Sequence, residues 1–76
     1  MKFSKDIELY RIIGANIKHY RKNANMTQIQ LAEAAQISIS YLSKIEALKC
    51  DKSLSISALN QIANVLDIEI IEFFKK

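Results

Sequence analysis

The chain has 76 residues, half of them apolar and a quarter charged, which is typical of one folded domain rather than a disordered segment. Its single cysteine, Cys50, excludes an intrachain disulfide and cannot complete a zinc site without further ligands. The net charge of +3 is uneven, because residues 1–52 carry nine basic and five acidic side chains and residues 53–76 carry two and three, so the first part is the candidate for binding a polyanion.

The first predicted element is a long helix that follows a short tail at residues 1–5. Proline is absent and Gly14 is the only glycine, which favours an all-helical chain because small sheets need tight turns. Between Asp6 and Asn23 apolar residues recur at three- and four-residue steps, with Ser4 or Asp6 as the starting residue. The inward-facing residues are Leu9, Ile12, Ile13, Ile17 and Tyr20. Asparagines at the end of this pattern tolerate the left-handed backbone that ends helices.

Two short helices are predicted next. Thr27 is the expected N-cap of a second helix that ends near Ala34, with Gln30 at the capping-box position. After a three-residue break, Ser38 is the expected N-cap of a third helix that extends to about Ala47. The inward-facing residues of the third helix are Leu42 and Ile45. The sequence therefore predicts two short helices joined by a tight turn.

The end of the chain is predicted to contain a fourth helix and a short fifth one. A lysine-rich connection at residues 48–53 precedes Ser55, the expected N-cap of the fourth helix, which ends at Asp67. Its inward-facing residues are Leu59, Ile62, Ala63 and Leu66. The last helix extends from about Ile70 to Phe74.

This last segment is too apolar for one small core to absorb all its side chains. A core of this size contributes only about 3 to 5 kcal/mol to the free energy of unfolding, and the chain has no covalent cross-link to add stability. We therefore expect a homodimer, formed with part of the fourth helix. The expected interface residues are Ile70, Ile71, Phe73 and Phe74.

Residues 28–47 meet the physical demands of a helix-turn-helix. Ala32 is small enough for a close helix crossing, and four apolar residues seal the two helices onto the rest of the domain: Leu31, Ile37, Leu42 and Ile45. With Met26-Thr27-Gln28, the run from Ser38 to Glu46, and Ile62-Ala63 with Leu66, the chain resembles the helix-turn-helix family of the phage repressors and Cro. Among its members it is most similar to one-domain restriction-modification controllers and small phage or mobile-element repressors.

The resemblance covers Ile13 to Phe74 and implies a compact five-helix, lambda-repressor-like domain over residues 6–76. It implies a sequence-specific regulator of transcription, a repressor or autoregulator, that binds an inverted repeat in double-stranded DNA as a homodimer. The chain departs from the family at three positions. Gln36 replaces the usual turn glycine, and Leu48 and Leu54 replace a glycine and a proline in a connection about two residues longer.

The family places the third helix in the major groove and the N-terminus of the second helix against the phosphate backbone. Serine hydroxyls can donate or accept at base edges, lysine can donate to guanine, and isoleucine can pack on a thymine methyl. The expected base contacts are Ile39, Ser40, Ser43 and Lys44. The expected phosphate contacts are Lys18, Thr27, Gln28, Ser38, Tyr41, Lys49 and Lys52, with Lys22 as a further candidate. The resemblance also implies a structural ion pair between Arg21 and Glu46.

The sequence argues against catalysis and against a cofactor or metal. No nucleophile with a base, carboxylate pair or glycine-rich phosphate loop is evident, and His19 is the only histidine. No apolar run is long enough to span a membrane, residues 1–6 lack the features of a secretory signal, and no ligand pocket is evident, so we expect a cytoplasmic protein. The alternative function is a small helical protein-interaction module, antitoxin-like or an anti-repressor partner, that does not bind DNA.

Overall fold

The computed structural model describes residues 2–47 and 54–76, and the predicted all-helical fold class is confirmed there. The elements in chain order are α1 (Asp6–Asn23), α2 (Gln28–Ala35), α3 (Ile39–Glu46), α4 (Ile56–Leu66) and a 3-10 helix, η1 (Ile70–Phe74). The short last helix predicted for these residues is thus a 3-10 helix. The predictions for Lys49, Cys50 and Lys52 lie outside the described residues.

Hydroxyl side chains begin α2, α3 and α4, as predicted. Thr27 and Gln30 form a full capping box, with the Thr27 Oγ1 accepting from the Gln30 amide at 3.1 Å and the Gln30 Oε1 accepting from the Thr27 amide at 2.9 Å. Ser38 and Ser55 accept from the amides three residues later, each at 3.0 Å. Helix α1 begins at Asp6, one of the two predicted starting residues, and its N-cap Lys5 makes no capping side-chain bond.

Three non-glycine residues in the left-handed region end α1, α2 and α4: Asn25 (φ 57°), Gln36 (φ 60°) and Asp67 (φ 56°). In each case the amide of the following residue donates to a carbonyl five residues earlier, as in the Met26 bond to Arg21 at 3.2 Å. Gln36, which replaces the usual turn glycine, takes the left-handed conformation that glycine would supply. The cost of this conformation is of order 1 kcal/mol.

All five elements contribute to one core. Its largest fully buried side chains are Ile13, Ile17, Leu31, Leu42, Ile45, Leu59, Ile62 and Phe73. Ala32 is also buried and lies in the same core cluster, in keeping with the small residue predicted for the helix crossing. The core therefore fixes α2 and α3 against α1 and α4, which determines the face that α3 presents to solvent.

The 3-10 helix packs on α1 and is tied to it by hydrogen bonds. Asn16 Nδ2 donates to the carbonyls of Phe73 and Lys75, both at 2.8 Å, and the Tyr20 hydroxyl donates to Glu72 Oε1 at 3.1 Å. Phe73 is 0% exposed and makes an edge contact with the Tyr20 ring. It has no surface with which to contact a second copy, which corrects its assignment to the dimer interface. Its apolar side chain is needed to complete the core of a small domain.

Candidate nucleic-acid interface

The outer side of α3 carries the four predicted base contacts. Residues 39, 40, 43 and 44 share one helical face, because residues four apart lie above one another on a helix. Ile39, Ser40 and Lys44 are exposed, with Ile39 at 42%, and Ser43 is half-buried. The opposite side of α3 is fixed in the core through Leu42 and Ile45. The fold thus presents a polar face with one exposed isoleucine.

The N-terminus of α2 lies beside α3 and is a suitable position for a phosphate. Thr27 is exposed there, and the first amides of the helix lack carbonyl partners within the helix. The positive end of the helix dipole also favours an anion at this point. The capping box engages the Thr27 hydroxyl and the amides of Thr27 and Gln30, so the amides of Gln28 and Ile29 are the groups suited to a phosphate.

Four side chains form a continuous network at the junction of α1, α2 and α3. We call it the recognition-helix network; its members are Arg21, Gln28, Ser43 and Glu46. Arg21 and Glu46 form the predicted ion pair, with Nε donating to Oε2 at 2.7 Å and Nη2 donating to Oε1 at 2.8 Å. Gln28 Nε2 donates to Glu46 Oε1 at 3.1 Å, and the Ser43 hydroxyl donates to Gln28 Oε1 at 2.9 Å. The network therefore joins the start of α2 to the outer face of α3.

This ion pair is largely shielded from solvent, with the Arg21 and Glu46 side chains 10% and 2% exposed. The hydrogen bonds that Arg21 donates to Glu46 raise the pKa of Arg21 above its already high usual value. Arg21 thus stays charged, and its Nη1 also donates to the Met26 carbonyl at 2.8 Å. No buried side-chain nitrogen or oxygen in the described part of the chain lacks a hydrogen-bond partner.

The sequence placed Gln28 and Ser43 separately, as a phosphate contact and a base contact, and did not reveal that they bond to each other. Helical spacing shows which residues share a face of one helix. It does not show which side chains of two helices meet, because that depends on the crossing geometry. The periodic pattern therefore could not predict the hydrogen bond between Gln28 and Ser43.

Tyr41 and Ser38, two predicted phosphate contacts, also have structural roles. The Tyr41 hydroxyl accepts a hydrogen bond from the Ser55 amide at 3.0 Å and so links α3 to the start of α4. Ser38 caps α3. Lys18 and Lys22 are exposed on α1, and the structure does not bring them into the recognition-helix network.

Among the described residues, the remaining polar features do not form a second site. His19 lies 3.2 Å from Asn23 Nδ2 and packs against the Tyr20 ring. Residues 2–47 and 54–76 contain no group of three His, Cys, Asp or Glu side chains placed to hold a metal ion. Within the same ranges no helix is both long and apolar enough to cross a membrane.

A buried helix crossing, a tight turn and a second helix with a polar outer face together define the helix-turn-helix class of DNA-binding domain. The helix-turn-helix family matches residues 17–73, and the chain belongs to this family. The family predicted from the sequence is thereby confirmed; it is a family of DNA-binding regulators and not of enzymes.

The relatives found by sequence include a phage repressor and a transcriptional regulator. The immunity repressor protein of Bacillus phage phi105 is 43% identical over 58 residues, which are 76% of this chain and 39% of that protein. The HTH-type transcriptional regulator SinR of Bacillus subtilis is 39% identical over 59 residues, 78% of this chain and 52% of that protein. The chain thus spans about half or less of the length of these relatives.

Solved structures have the same fold. SinR in complex with DNA matches with a TM-score of 0.76 and 36% identity over 83% of this chain and 98% of that one. The restriction-modification controller protein C.AhdI from Aeromonas hydrophila matches with a TM-score of 0.78 and 25% identity over 86% of this chain and 96% of that one. The described fold is therefore shared with a regulator that was solved bound to DNA.

Proposed function

We propose that the chain is a sequence-specific regulator of transcription that binds double-stranded DNA with α3 in the major groove. The observation that carries this proposal is the outer face of α3, where Ile39, Ser40 and Lys44 are exposed while the inner face is fixed in the core. Side chains of these types match the hydrogen-bonding and methyl groups of base edges. The likeness to SinR, which was solved in complex with DNA, supports binding to DNA.

In this proposal, phosphate contacts set the register of the domain on DNA. The proposed contacts are Lys18, Thr27, Gln28, Ser38 and Tyr41, together with Lys49 and Lys52 outside the described residues. The α2 N-terminus is the strongest of these positions, since its amides and dipole favour an anion at the point where α2 approaches α3. In this proposal residues 6–76 form the DNA-binding domain and residues 1–5 a tail, and the protein acts in the cytoplasm.

The active form in this proposal is a homodimer that reads an inverted repeat. Ile71 is 52% exposed, and Ile70 and Phe74 are half-buried, so η1 keeps an apolar surface after Phe73 has entered the core. Two-fold symmetry would set the two α3 helices roughly 34 Å apart, one turn of DNA. The same contact would stabilise a domain whose own core is small.

Selection of duplexes from a random pool, followed by fluorescence anisotropy on the enriched duplex, tests the proposal. Lys44→Ala is expected to weaken binding to the enriched duplex by about 10-fold and binding to a scrambled duplex much less. Lys76→Ala is the matched control. Lys76 pairs with Glu8, which is thirteen residues from Arg21 along α1, or about 20 Å away from the α3 junction.

Two results would contradict the proposal. The first is that alanine variants of Ser40, Ser43 and Lys44 all discriminate between the enriched and scrambled duplexes as the wild type does. The second is that Lys76→Ala weakens binding as much as Lys44→Ala does, because a general loss of charge would then explain the effect.

The second candidate function is a protein-interaction module. A chain of the solved SinR/SinI protein complex matches with a TM-score of 0.78 and 36% identity over 84% of this chain and 61% of that one. That complex is a specific precedent for this alternative. The two functions differ in salt dependence. Binding to DNA through phosphates weakens steeply with added salt, whereas a module that only binds protein shows little affinity for any duplex at low salt.

A further inference from the structure

The geometry of the recognition-helix network assigns a specific reading function to Ser43: its hydroxyl acts toward DNA as an acceptor only and selects a base that presents an amino group. The inference rests on the proposed function and adds the chemical group that this residue recognises. It follows in three steps, one for each pair of bonded side chains from Arg21 to Ser43.

The first step concerns Glu46. Arg21 donates to both of its carboxylate oxygens, at 2.7 Å and 2.8 Å. A carboxylate held in this way by a guanidinium group has no proton to donate. Any further neighbour of Glu46 must therefore present a donor.

The second step fixes the orientation of the Gln28 amide. Its two ends are an NH₂ donor and an oxygen acceptor. The end that faces Glu46 Oε1 at 3.1 Å has to be the NH₂ group, because the opposite orientation would bring two acceptor oxygens together. The Gln28 oxygen is consequently directed at Ser43.

The third step fixes the proton of the Ser43 hydroxyl. The Ser43 Oγ lies 2.9 Å from Gln28 Oε1, and an amide oxygen can only accept, so the hydroxyl proton lies in this bond. A serine hydroxyl has one proton and two lone pairs. Toward DNA, the Ser43 hydroxyl can therefore only accept a hydrogen bond. A serine without such a partner can bond to donors and acceptors alike.

Only two bases present a donor in the major groove, adenine through its N6 amino group and cytosine through its N4 amino group. Guanine and thymine present oxygens at the corresponding positions. Ser43 is therefore expected to select adenine or cytosine on the strand that it contacts. In this arrangement Gln28 is a positioning residue that removes the donor function from Ser43.

Selection from a random duplex pool with four proteins tests the inference. Ser43→Ala is expected to lose a base preference at one position of each half-site, and wild type to have adenine or cytosine there. Ser43→Thr keeps the hydroxyl and is expected to keep this preference. Gln28→Ala restores the donor function of Ser43 and is expected to admit guanine or thymine at that position while the other positions keep their preferences.

A second measurement removes the amino group itself. Replacing the selected adenine by purine, or the selected cytosine by 2-pyrimidinone, is expected to weaken wild-type binding by roughly 2- to 10-fold and to leave Ser43→Ala binding unchanged. This comparison does not use Gln28→Ala, so it tests whether Ser43 accepts from a base amino group even if that variant folds poorly. Thermal melts of each variant provide the control for folding.

The outcomes separate this inference from the function on which it rests. A guanine or thymine at the Ser43-dependent position, no position that depends on Ser43, or an equal effect of the missing amino group on wild type and Ser43→Ala would overturn the inference alone. A wild-type protein that enriches no duplex above a scrambled control would overturn the proposed function and this inference with it.

Discussion

Arg21 joins three parts of the fold through one guanidinium group. It extends from α1 to both oxygens of Glu46 on α3 and to the Met26 carbonyl in the turn before α2. Removing either partner of such a shielded pair leaves the other charge buried without a counter-charge. The resulting loss of stability is larger than the loss expected when both residues are replaced by apolar ones. The pair thus makes the position of α3 depend on both residues being present.

Arg21→Ala is expected to destabilise the domain by about 3 kcal/mol or more, since Glu46 would remain buried without its counter-charge. Urea unfolding followed by circular dichroism measures this loss. Arg11→Ala, at an exposed position of the same helix, is the control and is expected to change stability by no more than about 0.5 kcal/mol. Equal unfolding midpoints for the two variants would show that the ion pair does not stabilise the fold.

The apolar double variant Arg21→Met with Glu46→Leu separates the ion pair from the packing around it. It is expected to be more stable than Arg21→Ala, because no buried charge remains. A double variant that is less stable than Arg21→Ala would show that the unpaired carboxylate is not the cause of the loss in the single variant.

Gln36 holds a left-handed conformation at the end of α2, where glycine carries no steric penalty. Gln36→Gly is expected to stabilise the domain by about 0.5 to 1 kcal/mol and to raise Tm by about 3 to 6 °C. Ala47→Gly is the matched control, because Ala47 ends α3 with a φ of −78° and gains nothing from glycine. Scanning calorimetry measures both, and a lower Tm for Gln36→Gly would contradict the prediction.

At the scale of elements, the local signals in the sequence were sufficient to place the helices. Caps at Thr27, Ser38 and Ser55 act within three residues along the chain, so a reader of the sequence can find them. The attachment of η1 to α1 was not predictable in this way. It depends on hydrogen bonds from Asn16 and Tyr20 to residues more than 50 positions later, and only the packed fold brings these together.

The tie between η1 and α1 contains a carboxylate whose pKa is shifted. Hydrogen bonds from Lys75 and Tyr20 lower the pKa of Glu72 below its usual value of 4.5. The charged form is thus favoured by folding, so its stabilising effect is fully present above pH 4.5 and is lost as the pH falls through the lower pKa of the folded state. The free energy of unfolding measured at acidic pH should therefore reveal how much Glu72 contributes to the attachment of η1 to α1.

Glu72→Gln is expected to be less stable than wild type at pH 7 and to approach wild-type stability as the pH is lowered below 4.5. Glu69→Gln is the control, since it changes the net charge equally at an exposed residue next to the same segment. Urea midpoints measured from pH 7 to pH 3 test the difference. A gap between Glu72→Gln and wild type that stays constant over this range would exclude ionisation of Glu72 as its cause.

For the whole molecule, the sequence predicted the family and the exposed face of α3, and it was least informative about contacts between elements. Hydrophobic periodicity showed that the last segment is apolar but not which of its side chains fill the core. The structure places Phe73 inside and leaves Ile71 at the surface. A 3-10 helix has about three residues per turn, so only one side of η1 can face the core. Which side faces inward depends on how η1 docks on α1.

The proposed dimer makes a prediction about Ile71. Ile71→Glu places a charge in the apolar surface of η1 and is expected to shift the sedimenting species from dimer to monomer and to remove the dependence of Tm on protein concentration. Ile29→Glu is the matched control, because Ile29 is 60% exposed on α2 and lies outside η1. It should sediment as the wild type does.

Loss of the dimer should also change binding to DNA in a characteristic way. A dimer contacts two half-sites at once, so its second contact is intramolecular and strengthens binding to a full inverted repeat far more than to a single half-site. Ile71→Glu is therefore expected to lose most of the preference for the full repeat while its affinity for one half-site stays within about 2-fold of wild type. A wild-type protein that sediments as a monomer, or an Ile71→Glu variant that keeps its preference for the full repeat, would show that η1 is not the dimer interface.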